Sequence, residues 1–437
     1  MLQTALAYGA NAIYAGQPRY SLRVRNNDFG DLALLKTGID TVHEAGGQFY
    51  LVSNIFPHGA KLKTYVRDMA PVIELKPDAL IMSDPGLMMM VREEWPDQPI
   101  HLSVQANTVN AAAVKFWARN GVSRVILSRE LSLDEIADIR EACPDTELEV
   151  FVHGALCIAY SGRCLLSGYF NHRDPNQGSC TNSCRWDYRV RPGKVDASGD
   201  VFVIEEQGRR QGEFNVIEED EHGTYILNSK DLRAIEHVQR LIEIGVDSLK
   251  IEGRTKSPYY VARTAQAYSA AIDAAMAGQP LADALIESLD GLANRGYTSG
   301  FFARHQDANK RGSDAEFQNY GRGNSESARS LYVGDVVSYD DARGMAEVEV
   351  KNRFALGERM ELVLPQGNRI FKLDVMQDAA GASMPVAPGN GYRVWLPLGE
   401  DSVGAFLTRF MQQDEKLPAE SAAGCGSGGC GSCESAA

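Results

Sequence analysis

The chain has 437 residues, with 44 Lys plus Arg against 58 Asp plus Glu and a formal net charge of −14. At roughly 150 residues per domain this length predicts two or three domains, and the acidic balance excludes a generally basic protein that coats nucleic acid while leaving room for a local basic face. No apolar run approaches the roughly 18 to 20 residues of a membrane-spanning helix, and the opening MLQTALAYGA lacks a signal-peptide pattern, so a cytoplasmic chain is expected whose eight cysteines are thiols or metal ligands rather than disulfides.

The first half repeats one unit: a short apolar strand, a polar loop and a helical stretch. Strands are read at AIYAG (from Ala12), QFYLVSN (Gln48), ALIMSD (Ala79), IHLSVQAN (Ile100), RVILSRE (Arg124), LEVFVHGAL (Leu148) and SLKIEGR (Ser248). Near-continuous apolar strands separated by helices predict a parallel sheet covered on both faces. A doubly wound open sheet and a (β/α)8 TIM-type barrel both fit that pattern. No GxGxxG follows the first strand, and polar residues sit just past many strand ends: Asn54, Gln105, Asn107, Arg129, His153 and Glu252. That placement favours the barrel. Only seven strands can be counted, and the chain opens inside a helical pattern without a capping residue. The first barrel strand is therefore expected to be missing, with poor stability as the consequence.

Domain 1–304 is thus predicted to be the barrel, with a Cys-rich insertion over about 157–246. Asn228 or Ser229 is expected to cap the last crossover helix, and Tyr259 to Ala277 reads as a long Ala-rich helix. Residues 305–328 read as a polar linker. Residues 329–412 carry short alternating strands (VGDVVSY, MAEVEVKN, RMELVLP, RIFKLDVM, YRVWLPL) and are expected to form a small β-barrel domain. The Cys/Gly/Ser-rich tail, 413–437, is expected to be disordered, with Cys425, Cys430 and Cys433 as exposed thiols or a second metal site.

The strongest chemical signal is Cys157, Cys164, Cys180 and Cys184, spaced C-x6-C-x15-C-x3-C directly past one strand. Four thiolates suit an iron–sulfur cluster or tetrahedral zinc; four ordinary buried thiols are the plainer alternative. The uneven spacing fits a cluster slightly better than paired zinc knuckles. Isolated Cys143 reads as a small buried hydrophobe. Glu252, Arg254 and Lys256 meet at the end of the last strand as a candidate anion clamp, or as a brace for the loop. Arg19, Tyr20, Arg23 and Arg25, with Lys61 and Lys63, could meet an RNA backbone or base, or form a solvated edge. His153, Gln105 and Glu252 are the candidate catalytic groups; His153 reads more readily as a satisfied structural histidine than as an acid, base or supporting partner, and Gln105 and Asn107 could orient a substrate or only cap a turn. There is no HExxH and no GxSxG elbow.

Over Glu149 to Ser167 the sequence reads EVFVHGALCIAYSGRCLLS. It resembles the signature of the collagenase-like peptidase family U32 at Glu149, Phe151, Gly154, Ala155, Leu156, Cys157, Gly162, Cys164, Leu166 and Ser167. GYFNHRDPNQGSCTNSCRW, NSKDLRAIEHV, SLKIEGRTKSPYYVARTAQAY and NRGYTSGFF resemble the tRNA-hydroxylating branch of that family. The resemblance, which spans Gln3 to about Met411, implies a barrel with an iron–sulfur cluster, [4Fe–4S], on the four cysteines, and a C-terminal β domain. It further implies prephenate-dependent hydroxylation of the wobble uridine of tRNA at C5. The partners it implies are tRNA, the dicarboxylate prephenate and the iron–sulfur assembly machinery, with no membrane. A peptidase and a non-catalytic iron–sulfur scaffold remain the alternative functions.

Overall fold

The structure is a computed structural model. It describes residues 1–16, 19–22, 29–156, 230–253, 256–294, 296–303 and 330–411, together with the backbone of short strands between 188 and 224. Cys157, Cys164, Cys180, Cys184, Arg23, Arg25, Arg254, the linker 305–328 and the tail from 412 lie outside the described residues.

The repeating unit forms as its apolar pattern dictates. α1 (Leu2–Ala7) leads into β1 (Ala12–Gly16), α2 (Leu32–Glu44), β2 (Gln48–Ser53), α3 (Gly59–Leu62), α4 (Tyr65–Ile73), β3 (Ala79–Met82), α5 (Pro85–Glu94), β4 (Ile100–Leu102), α6 (Ala111–Arg119), β5 (Arg124–Ile126), α7 (Leu133–Ala142) and β6 (Glu147–Ala155). Helix starts are set by short polar side chains that satisfy amides left open in the first turn. Asp31 accepts from Leu34 N, Asp84 from Leu87 N ahead of Pro85, and Asn110 from Ala113 N. Ser132 and Glu135 close a reciprocal capping box on α7.

Backbone strands β7 (Tyr188–Pro192), β8 (Phe202–Glu206) and β9 (Phe214–Ile217) form an antiparallel meander, and β10 (Glu219–Asp220) pairs β11 (Gly223–Thr224). Then come β12 (Asp231–Arg233), α8 (Val238–Ile244), β13 (Ser248–Ile251), α9 (Pro258–Met276), α10 (Asp283–Asp290) and β14 (Tyr297–Thr298).

Seven strands form one parallel sheet in the order β1-β2-β3-β4-β5-β6-β13. Each strand lies beside its predecessor, without the reversal of a doubly wound sheet. Among the described residues no ladder joins β13 back to β1, so the sheet is an open array rather than a closed eight-stranded barrel. The expected helix cap near Asn228 is also corrected. Asp231–Arg233 is a strand, antiparallel to the end of β6, and the helix starts only at Val238. The Tyr268 hydroxyl explains this, since it donates to Val152 O and accepts from Ala234 N, holding the segment extended along β6.

The C-terminal domain comprises β15 (Ser330–Asp340), β16 (Met345–Val350), β17 (Phe354–Ala355), β18 (Arg359–Val363), β19 (Arg369–Lys372), β20 (Val386–Ala387), β21 (Arg393–Leu396) and β22 (Phe406–Phe410). Its six-stranded antiparallel sheet runs β19-β18-β22-β15-β16-β21, with β17 paired to β20. The chain that continues β19 reaches Gln377, whose amide donates to Trp395 O at 3.0 Å and whose carbonyl accepts from Trp395 N at 2.9 Å, so an antiparallel bridge to β21 joins the two ends of the sheet. β22 was not among the strands read from sequence, yet it lies in the interior of the sheet. Val333, Val348, Phe354, Met360 and Leu407 form its core.

This domain docks on α1 and α9. Tyr8 Oη donates to Val363 O at 2.8 Å, Gln266 Nε2 donates to Leu364 O at 2.7 Å, and Tyr259 stacks on Tyr332 with centroids 4.9 Å apart. Buried between them, Arg263 pairs with Glu361. Arg263→Met would strand the Glu361 carboxylate and is expected to cost about 3–5 kcal/mol of stability in denaturant titration. Arg263→Met/Glu361→Leu should regain most of that loss. Equal midpoints for the single variant and the parent would show that the pair holds nothing.

Candidate functional site

The parallel strands all deliver their carboxyl ends to one rim. Asn54, just past β2, donates through Nδ2 to Gln105 Oε1 at 2.9 Å and accepts from Leu22 N at 3.1 Å. Gln105, a predicted catalytic group, is thus oriented by Asn54 and Ser103 and remains half-exposed. Asn107 takes a left-handed conformation at φ 53, which asparagine tolerates, and accepts from Ser128 Oγ at 2.8 Å.

His153, near the end of β6, is 1% exposed and ringed by Tyr260, Tyr268 and Tyr297 at centroid distances of 5.7, 5.5 and 5.5 Å. Its Nδ1 lies 3.3 Å from Tyr268 Oη. Because Tyr268 spends its proton on Val152 O, it can only accept from the imidazole. Nδ1 therefore carries the hydrogen and Nε2 is a bare acceptor. Among the described residues that Nε2 has no hydrogen-bond partner, and neither does the Tyr260 hydroxyl. Burial drives the His153 pKa down to about 3, with Asp231 pulling it back and Lys256 and Arg233 adding to the depression. His153 is thus neutral near pH 7. A buried neutral imidazole favours the structural reading of His153 over an acid–base one.

Gly154, next in the strand, has φ +116, and a Cβ there would sit 2.6 Å from Glu252 O. Only glycine lets the end of β6 approach the end of β13 this closely. The ladder slips register at that point, between Lys250 and Ile251. Glu252 is held by Tyr14, whose hydroxyl lies 3.0 Å from Glu252 Oε2. Lys256 sits 3.7 Å from the buried Asp231 carboxylate and 4.9 Å over the Tyr260 ring. Arg129 lies 4.0 Å over Phe151 and donates to Ala155 O, two residues before Cys157.

The basic cluster after β1 divides. Arg19 is half-exposed and pairs with Asp68 at 2.5 Å. Tyr20 is fully buried, donates to Asp68 at 2.8 Å and packs edge-on to Tyr65. It is a core residue and not a platform for a base, which corrects that expectation. Its aromatic character looked like an RNA contact in sequence, but Thr64 and Asp68 offered its hydroxyl partners inside. Asp231, Tyr260, Tyr268, Tyr297 and Arg129 were not singled out as site residues. Their only sequence signal is position: Tyr260 opens the helix after β13, and Asp231 precedes an apolar run. Among the described residues no group of three or more His, Cys, Asp or Glu could hold a metal. Within the same residues no helix is long and apolar enough to cross a membrane.

A sequential parallel sheet with convergent polar groups at its carboxyl ends is the usual architecture of an α/β enzyme site. The chain matches the model of peptidase family U32 over residues 1–312 and that of the peptidase family U32 C-terminal domain over 328–409. It belongs to peptidase family U32. It is 56% identical over 426 residues, 92% of each chain, to the tRNA hydroxylation protein P of Escherichia coli (strain K12). It is 53% identical to that of Haemophilus influenzae, over 92% of this chain and 91% of the relative. It is 29% identical to the 23S rRNA 5-hydroxycytidine C2501 synthase of Escherichia coli (strain K12), over 90% of this chain and 54% of that one.

Burial of two neutral histidines makes stability acid-sensitive. His101 is also held down to about 3, by burial first and Arg124 second. For both, the folded pKa lies below the ordinary imidazole value of 6.5, so the unfolded chain takes up the proton first. The contribution is intact above pH 6.5 and is lost as pH falls towards 3, by up to about 1.4 kcal/mol per pH unit per histidine. Urea titrations at pH 7.5, 6, 5 and 4 should show that slope, and His101→Gln should flatten it. A stability independent of pH across this window would contradict the buried neutral assignment.

Proposed function

We propose that this chain hydroxylates the wobble uridine of tRNA at C5, with prephenate as co-substrate and an iron–sulfur cluster on Cys157, Cys164, Cys180 and Cys184. The observation that carries this reading is the set of relatives. Two that share more than half of their residues over nearly the whole chain are named for tRNA hydroxylation, and a third is named for 5-hydroxycytidine in rRNA. Hydroxylation of an RNA pyrimidine is common to their names.

Among the described residues no histidine is hydrogen-bonded to a serine, threonine or cysteine; His43 meets Asp78 and His153 meets Tyr268. Replacing C5–H by C5–OH is a two-electron oxidation, which a Ser–His hydrolase does not perform. A thiolate-ligated iron–sulfur cluster would supply electron transfer. In sequence Cys157 follows Ala155 by two residues, and Arg129, which donates to Ala155 O, is a cation that would offset thiolate charge.

This chain's own residues bind and orient. Lys256 and Arg19, in the loops after β13 and β1, offer cations to phosphate or to the carboxylates of prephenate, and Arg23, Arg25 and Arg254 join them by sequence position. The Nε2 lone pair of His153 is an acceptor for an N–H or O–H donor. Gln105 and Glu252 present polar groups fixed from behind by Asn54 and Tyr14. A loop base reaches such a rim without unpairing a duplex. With a net charge of −14, binding to RNA should be weak and strongly dependent on salt.

Deletion of the gene should abolish 5-hydroxyuridine and its derivatives in host tRNA, read by mass spectrometry of nucleosides. Cys157→Ala should reproduce the deletion, and Lys256→Ala should lower the modification at least about tenfold. Anaerobically purified protein should contain iron and sulfide. Unchanged nucleosides in a strain without a redundant hydroxylase would overturn the function; full activity of Cys157→Ala would overturn the role of the cluster.

A further inference from the structure

The network behind Gln105 fixes which of its atoms faces the rim. β2, β3 and β4 end in register, with Ser53 beside Met82 and Met82 beside Leu102. The next residues, Asn54, Ser83 and Ser103, make one buried tier just past the strands. Leu22 N–H can only donate, so the Asn54 atom it meets at 3.1 Å is Oδ1, and the other branch of that carboxamide is its –NH2. Asn54 Nδ2 can in turn only donate, so the Gln105 atom 2.9 Å away is Oε1. Asn54 Nδ2 also donates to Ser103 Oγ at 3.3 Å, and the Ser103 hydroxyl donates to the same Gln105 Oε1. Two inward donors occupy both lone pairs of that oxygen. Gln105 is left with its Nε2 amino group, two N–H donors without a partner among the described residues, on the half-exposed 3-10 turn Val104–Ala106. The chain of donors begins at a backbone amide, which cannot be reversed, so the polarity of the Gln105 side chain follows from the fold. Ser83, in the middle of the tier, keeps a buried hydroxyl without a hydrogen-bond partner among the described residues. The tier therefore holds unspent hydrogen-bonding capacity in addition to that of Gln105.

We infer that Gln105 is a specificity-determining residue whose carboxamide is a donor subsite for an sp2 oxygen, a pyrimidine carbonyl or a carboxylate, and that Asn54 sets its polarity. This role rests on the function proposed above and names the group on the substrate that is read. A glutamine free in solvent rotates and offers donor or acceptor alike; held from behind by Asn54 and Ser103, it offers donors only. Its N–H groups lie in the amide plane and suit the in-plane lone pairs of a carbonyl or carboxylate oxygen. A ligand that presents N–H or O–H at the same point meets donor against donor. The side chain is already ordered, so a ligand does not bear the cost of immobilising it. Being neutral, the amide discriminates by contact, while attraction of phosphate falls to cations such as Lys256 and Arg19.

Binding is measured on the full chain with two probes. One is an anticodon stem-loop RNA carrying uridine or an abasic sugar at the wobble position, read by fluorescence anisotropy. The other is prephenate, read by isothermal titration. Gln105→Met removes the donors without adding charge. Asn54→Asp leaves Gln105 in place but takes away the inward donor, so the carboxamide turns over: Nε2 meets the new carboxylate and the oxygen faces the rim. Both variants are expected to weaken at least one probe by about fivefold or more. A loss with the uridine RNA and not with the abasic RNA assigns the subsite to a base carbonyl; a loss with prephenate assigns it to a carboxylate. Gln105→Met with the parent's affinity for both probes would overturn the donor subsite. So would an equal loss for uridine and abasic RNA with prephenate unchanged, because the amide would then meet only the RNA backbone. Asn54→Asp equal to the parent would overturn the positioning role of Asn54. Should that variant fail to fold, Gln105→Met, at a half-exposed position, still decides the subsite. A parent chain that binds neither probe overturns the function proposed above and the subsite with it, whereas unchanged variants of a parent that binds both overturn the subsite alone.

Discussion

One buried carboxylate organises the interior of the sheet. Glu149, in the middle of β6, is 2% exposed. An isolated charge there would be prohibitive, because burial alone favours the neutral acid. Burial does push its pKa up, but Lys250 from β13 at 2.5 Å and Arg124 from β5 at 3.3 Å outweigh that and hold it below the ordinary range. Arg124 also reaches Glu147 and the Tyr50 hydroxyl of β2, while the Lys250 ammonium lies 3.8 Å over the Tyr14 ring of β1. Two strands, β5 and β13, supply the cations that neutralise Glu149 of β6, and tyrosines of β1 and β2 contact those cations. Removing either cation would leave the buried carboxylate under-compensated, so the register of β5, β6 and β13 is tied to this charge.

The site depends on that register. Glu149, Phe151 and His153 alternate along β6, so fixing the first sets the height of the last at the rim. Gly154 then allows β13 to close to contact at Glu252, and the bulge at Ile251 turns the chain outward towards Lys256. The aromatic box around His153 is assembled from elements distant in sequence: Tyr260 and Tyr268 from α9 and Tyr297 from β14. Helix α9 in turn is held by the C-terminal domain through Arg263 and Glu361. The small β domain, far from the chemistry in sequence, thereby positions the helix that supplies two walls of the His153 pocket.

Much of this was legible in the residues because it rests on local pattern. Runs such as Ala79–Met82 and Phe49–Val52 are apolar throughout and fold as fully buried parallel strands, and polar residues at strand ends converge on one rim. The fourth and fifth strands were read too long, since Val104–Ala106 breaks into a 3-10 turn. What was not legible depends on contacts distant in sequence. Asp231–Arg233 is extended because Tyr268, more than thirty residues later in sequence, holds it to β6. Phe406–Phe410 pairs in the sheet interior because β15 and β18 lie on either side of it. Tyr20 is buried because Asp68 and Thr64 await its hydroxyl. Glu149 stood within the family signature, and nothing in the local pattern marks it as an interior ion-pair centre.

The same burial logic divides the labour at the rim. An imidazole with its pKa near 3 cannot exchange a proton usefully near neutral pH, because transfer is efficient only when the pKa lies near the operating pH. The pocket instead fixes one tautomer through Tyr268 and leaves one lone pair without a partner. A buried acceptor left unpaired costs about 1–3 kcal/mol. Glu252 and Lys256, by contrast, are only half-buried. Both stand on the turn after β13, whose height is set by Lys250 and Glu149 below. The charge inside the sheet and the chemistry at its edge are thus coupled through one strand.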